Sequence, residues 1–70
     1  MLKNRVRELR ARFRITQQDL ADRIEVSRQT IGLIEKGDYA PSITLALKIA
    51  REFQLPIEDI FYLEGDKESC

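Results

Sequence analysis

Arg28 and Gln29 stand side by side, with Leu33 one helical turn after Gln29. Together they form a set able to read the edges of DNA bases. A guanidinium can donate two hydrogen bonds to guanine O6 and N7, a carboxamide can pair bidentately with adenine N6 and N7, and each good pair discriminates by roughly 1–3 kcal/mol. Leu33 could pack on a thymine methyl, with partial burial as the competing reading. An ordinary solvated helix start would carry Arg28 and Gln29 equally well, so residue type alone leaves both readings open.

Gln17 and Gln18 open another helical segment, whose unpaired N–H groups and positive dipole end suit a phosphate. Their amides can donate to the same oxygen, which positions a duplex without specifying its sequence. Ser27 can donate to a phosphate or cap the helix that follows it. Lys36 can meet a phosphate or simply complement a helix C-terminus.

What the chain lacks narrows the chemistry further. It has no histidine, which removes the usual general base at neutral pH and the commonest metal ligand. Its single cysteine, Cys70, is the last residue, so no intrachain disulfide or multi-cysteine metal site can form. There is no glycine-rich phosphate cradle either. A binding protein without cofactor or metal is expected, not an enzyme.

The elements that must position these side chains follow from periodicity and punctuation. Leu2, Val6, Leu9 and Phe13 fall on one face of a helix expected from about Lys3 to Arg14. Thr16 with Asp19 three residues later resembles a capping box, so a second helix should begin at Gln17 and bury Leu20, Ala21 and Ile24. Glu25-Val26-Ser27 leaves room only for a tight turn. A third helix is expected from Arg28 to Lys36, burying Ile31 and Ile34 and closing at Gly37. Ser42 should cap a fourth helix, Ile43 to Phe53, with Ile43, Ala46, Leu47, Ala50 and Phe53 inward and Leu45 and Ile49 beside them. Pro56 suits the first turn of a short fifth helix carrying Ile57, Ile60 and Phe61. No strand alternation or repeat is visible, so the reading is all-α, with one domain over residues 1–63 and a flexible acidic tail over 64–70.

Composition fits that class. The chain has 70 residues, 43% apolar and 34% charged, with two prolines and three glycines, which suits a small helical domain. A domain of this size hides only about 60% of its unfolded surface, so one thin core is all it can hold. No apolar run nears the roughly 20 residues of a membrane span. The charged N-terminus lacks the apolar stretch of a signal peptide, and a cytoplasmic location is expected. Formal net charge is zero, yet residues 1–36 carry nine Lys/Arg and five Asp/Glu whereas residues 37–70 carry three and seven. Such polarity points to a nucleic-acid partner, although solvated helix faces give the same count.

Thr16-Gln17-Gln18-Asp19-Leu20-Ala21, Val26-Ser27-Arg28-Gln29-Thr30-Ile31 and Ile34-Glu35-Lys36-Gly37 together resemble the phage Cro and repressor (XRE-like) helix-turn-helix family. The likeness continues through Tyr39-Ala40-Pro41-Ser42, Leu45-Ala46-Leu47-Lys48-Ile49-Ala50 and Ile57-Glu58-Asp59-Ile60-Phe61. It implies a five-helix, lambda-repressor-like fold whose third helix enters the major groove, and a homodimer on a near-palindromic operator in double-stranded DNA. On that resemblance Gln17, Ser27, Arg28, Gln29 and Leu33 fall on positions that meet DNA, and Arg10 and Glu35 form a structural ion pair.

Three positions depart from the family pattern. Glu25 replaces a common turn glycine, Gly32 leaves one contact position blank, and Ser42 lacks the reach of the basic residue some relatives carry there. The expected function is therefore a sequence-specific transcriptional regulator, most simply a repressor. Phe61, Tyr62 and Leu63 are candidates for the dimer contact, with closure of the core as the other role open to Phe61. The alternative is an antitoxin-like module that also binds DNA and meets a protein partner through Glu58, Asp59, Glu64, Asp66 and Glu68.

Overall fold

The computed structural model describes residues 2–64. Asp66, Glu68, Cys70 and nearly all of the expected tail lie outside them. In chain order the elements are β1 (Leu2–Asn4), α1 (Val6–Phe13), α2 (Gln17–Ile24), α3 (Arg28–Lys36), α4 (Ile43–Phe53), a 3₁₀ turn (Ile57–Asp59) and β2 (Phe61–Leu63). Two expectations are corrected here. There are four α-helices among the described residues, not five, and a two-stranded antiparallel sheet joins the two ends of the domain, pairing Leu2 with Leu63, Lys3 with Tyr62 and Asn4 with Phe61.

The physical reasons are local. The Asn4 carboxamide oxygen accepts from Val6 N at 3.0 Å, which starts α1 at Val6 and leaves Leu2 to Asn4 extended. After Pro56 the chain closes only i→i+3 bonds, Asp59 N to Pro56 O and Ile60 N to Ile57 O, both 3.0 Å. Ile60 then drops into the core, and Phe61-Tyr62-Leu63, rich in strand-forming aromatics, pairs with β1.

Helix starts follow the sequence closely. Thr16 and Asp19 make a reciprocal capping box, with both bonds at 3.0 Å. Ser27 caps α3 and Ser42 caps α4, accepting from the backbone three residues on at 3.1 and 3.2 Å.

Helix ends repeat one device. Arg14, Glu25, Gly37 and Gln54 all take the left-handed conformation, so three of the four are not glycine. Each non-glycine case is followed by an apolar residue, Ile15, Val26 or Leu55, that packs half-buried against the core. The N–H groups of those apolar residues return to carbonyls of the last helical turn at 3.0–3.2 Å. That contact offsets the cost of about 1–2 kcal/mol for a side chain in left-handed backbone.

Val6 and Leu9 of α1, Leu20, Ala21 and Ile24 of α2, Ile31 and Ile34 of α3, and Ile60 form the centre of the core. The inward face of α4 is Leu45, Ala46, Ile49, Ala50 and Phe53. Ile43 and Leu47, expected inward, are instead 69% and 54% exposed. Helix α4 offers two overlapping apolar stripes that share Ala46, Ala50 and Phe53, and the one completed by Leu45 and Ile49 is the one that is buried. Phe13 lies at the edge of the core, half exposed, its ring meeting Phe53 edge-on at 5.2 Å.

Candidate nucleic-acid interface

Helix α3 is anchored from three directions. Ile31 and Ile34 are buried beneath it. On one flank the Glu35 carboxylate, its side chain only 5% exposed, accepts from Arg10 Nε and from Arg10 Nη2 at 3.2 Å, as well as from Gln17 Nε2 at 3.0 Å. Arg10, 16% exposed, also donates from Nη1 to the Ile15 carbonyl at 3.1 Å, so one guanidinium ties α1, the α1–α2 turn and α3 together. Near the end of α3 the Asn4 carboxamide N–H donates to the Ile34 carbonyl at 2.8 Å.

With those anchors in place, the outer face of α3 is settled by geometry. At 100° per residue, Arg28, Gln29, Gly32 and Leu33 occupy an arc of about 140°, and Ile31 and Ile34 lie outside it. Arg28, Gln29 and Leu33 are all exposed, and among the described residues the side chains of Arg28 and Gln29 have no hydrogen-bond or ion-pair partner. Guanidinium and carboxamide donors therefore face outward together at the N-terminal end of a rigid helix, the arrangement that base-edge reading in a major groove requires.

The other sequence candidates are placed as follows. Gln17 is half-buried, its amide nitrogen engaged by Glu35 and its carbonyl oxygen the atom left over. Gln18 is exposed and donates to Asp22 Oδ1 at 2.8 Å. Ser27 is engaged by the Thr30 N–H and lies 2.9 Å from the Thr30 hydroxyl. Lys36 is exposed beside Asp38, with 3.7 Å between the charges. Phe61 packs half-buried on the core, whereas Tyr62 and Leu63 are exposed on β2, and the Arg5 guanidinium sits 5.6 Å from the Tyr62 ring centroid.

Asp19 is held below the ordinary carboxylate range by the hydrogen bonds it exchanges with Thr16, chiefly that from the Thr16 backbone N–H. It stays ionised at the positive end of α2, and so stabilises the helix that carries Gln17.

Sequence reasoning missed two residues. Asn4 could have been read as a helix cap, but nothing in its spacing announces the bond to Ile34. Arg7, one of several arginines on α1, lines a groove between α1 and α3 beside Arg10, and unlike Arg10 has no acidic partner among the described residues. Among the described residues no cluster of metal-ligating side chains occurs, and no helix is long and apolar enough to cross a membrane.

Comparison with known proteins agrees with this geometry. Residues 6–60 match the helix-turn-helix family profile. An uncharacterised HTH-type transcriptional regulator of Bacillus subtilis, YgzD, is 54% identical over 93% of this chain and 98% of its own length. One from Methanocaldococcus jannaschii is 53% identical over 94% of this chain and all of its own. Among solved structures, the restriction-modification controller protein C.AhdI of Aeromonas hydrophila superposes with a TM-score of 0.73 and 29% identity, covering 79% of this chain and 83% of its own. A crystallised Bacteroides fragilis protein, at 22% identity, shares the fold with a TM-score of 0.80 over 89% of this chain and its entire own length. The paired helices α2 and α3, the profile that spans them and relatives of matching length together place the chain in the XRE-type helix-turn-helix family of DNA-binding transcriptional regulators.

Proposed function

We propose that the protein is a sequence-specific repressor that binds a near-palindromic operator as a homodimer, with α3 of each copy in the major groove. The observation that carries this reading is the unpartnered Arg28–Gln29 pair at the start of a helix anchored by Arg10, Asn4 and its own apolar face. Arg28 reads guanine, Gln29 reads adenine and Leu33 meets a thymine methyl. Gln18, Lys36 and the N-terminus of α2 hold phosphates, Ser27 contributes from the helix turn, and Gln17 does so through the backbone N–H it presents.

Dimerisation is supported by strand β2. Tyr62 and Leu63 are exposed large apolar side chains on a sheet of only two strands among the described residues, and a second copy can cover them. Two half-sites are also what lifts a weak single-module contact to useful occupancy at physiological salt.

Selection of bound sequences from random duplex DNA tests the reading. The wild-type protein should enrich a two-fold motif, and Arg28→Ala and Gln29→Ala should each relax one position per half-site, at about 1–3 kcal/mol. In parallel, Leu63→Glu should shift the protein toward monomer in sedimentation and weaken the two-half-site duplex far more than a single half-site. Recovery of no symmetric motif overturns the proposal.

A further inference from the structure

The geometry points to a phosphate seat for the DNA backbone in the groove where Arg7 of α1 faces Gly32 and Lys36 of α3, an inference that rests on the DNA-binding reading above. The groove is open, has a volume of about 370 Å³, and is lined by Arg7, Arg10, Gln17, Gly32, Glu35 and Lys36. At about 30 Å³ per liquid water, that is room for roughly a dozen waters, enough to admit a phosphodiester.

Three features of the groove favour an anion. Three cations and one carboxylate line it, and with Arg10 paired to Glu35 and Lys36 lying 3.7 Å from Asp38, the positive charge left over is that of Arg7. Arg7 is exposed and has no acidic partner among the described residues, whereas the exposed Arg12 of the same helix is paired with Glu8 at 3.1 Å. Gly32 keeps the groove open: a Cβ there would make only ordinary contact with Gln17 Nε2 at 3.8 Å, but a longer side chain would extend into the space.

The groove lies against the N-terminal residue of α2 and the outer face of α3, the two features assigned to DNA. A strand whose bases meet Arg28 and Gln29 therefore runs its backbone past Arg7. This gives the glycine in the middle of α3 a role: it leaves a base contact blank and clears the path of a phosphate. Arg7 positions the duplex and reads no base.

Salt dependence separates this role from a general charge effect. Binding of the full chain to a selected duplex and to a random-sequence duplex is measured by fluorescence anisotropy between 50 and 200 mM salt for wild type, Arg7→Gln and Arg12→Gln. One phosphate contact contributes about 0.9 to the slope of log affinity against log salt, so Arg7→Gln should narrow the affinity lost across that range by about 3.5-fold on both duplexes. Its base preferences should be unchanged, and Arg12→Gln, with the same change in charge, should keep the wild-type slope. Equal slopes for Arg7→Gln and wild type, or an equal fall for both variants, would overturn the seat while leaving base reading intact. A wild-type protein that enriches no motif would overturn the repressor reading instead, and the random-sequence duplex still decides the seat. Matching thermal melts show that both variants are folded.

Discussion

Removing the guanidinium of Arg10 is the sharpest test of how α3 is held. The Glu35 side chain is 5% exposed and accepts three hydrogen bonds, two of them from Arg10. Arg10→Met keeps the apolar stem but leaves a buried carboxylate with Gln17 as its one donor, a change that costs about 3–5 kcal/mol when burial is nearly complete. Glu35→Gln is milder. It keeps an acceptor of the same shape, and the guanidinium retains the Ile15 carbonyl, so the loss is that of hydrogen bonds to a charged group, about 1.5–3 kcal/mol. A domain of this size has a total stability of roughly 3.5–10 kcal/mol, and each kcal/mol moves Tm by about 4–8 °C. Thermal and urea melts followed by far-ultraviolet circular dichroism should therefore place Arg10→Met lowest, at least about 12 °C below wild type. The double variant Arg10→Met/Glu35→Leu should recover much of that loss, because no charge is left orphaned. An Arg10→Met cost below about 1 kcal/mol, the range of an exposed pair, would refute the claim that this network anchors α3.

Two further outcomes follow from backbone and capping geometry. Gly32→Ala and Gly37→Ala are the same substitution with opposite expected signs. At Gly32 the new Cβ makes only ordinary contact, and stability should rise by about 1 kcal/mol through helix propensity. At Gly37, with φ +83°, stability should fall by about 1–2 kcal/mol, both read from urea midpoints. Asp19 gives a pH signature: because folding lowers its pKa, its contribution is present above the unfolded value, 3.8, and is lost as pH falls through the lower folded value. Acid titrations of stability should then show a shallower decline below about pH 4 for Asp19→Asn than for wild type, and identical slopes would remove Asp19 from the acid response.

Helix starts were the most legible part of the fold, since Thr16, Ser27 and Ser42 signal by residue type alone and act within three residues of themselves. The two ends of the chain were not legible. Leu2 falls in phase with Val6 and Leu9, so periodicity extends α1 backwards, and only the Asn4 carboxamide, bonded to Val6 N, ends that phase. The strand pairing of Asn4 with Phe61 joins residues almost a full chain length apart, and three-residue strands are too short to show alternation. In α4 the period was read correctly and the face in part: Ala46, Ala50 and Phe53 turn inward as expected, whereas Ile43 and Leu47 do not. Leu45 and Leu47 are equally apolar, and only the packing of the other helices buries the first and leaves the second 54% exposed. The same limit applies to the candidate site. Arg28, Gln29 and Leu33 are recognisable from type and spacing, but the engagement of Gln17 by Glu35 and the facing of Arg7 toward Gly32 exist only once three helices have been packed.

The division of labour on α3 has a consequence for how such a protein can change its target. Its inward side is fixed by Ile31 and Ile34, and its flank by the Glu35 network and the Asn4 bond. Arg28 and Gln29 contribute to neither, because both are exposed and among the described residues their side chains have no hydrogen-bond or ion-pair partner. Substitutions away from such features typically shift stability by no more than about 0.5 kcal/mol, whereas a single bidentate base pairing discriminates by about 1–3 kcal/mol. If Arg28 and Gln29 read bases as proposed, their preference can be rewritten almost without touching the fold. The same is not true of Gln17: its hydrogen bond to Glu35 places the first residue of α2 inside the structural network, so exchanging it alters the hold on α3 along with the phosphate contact proposed for it.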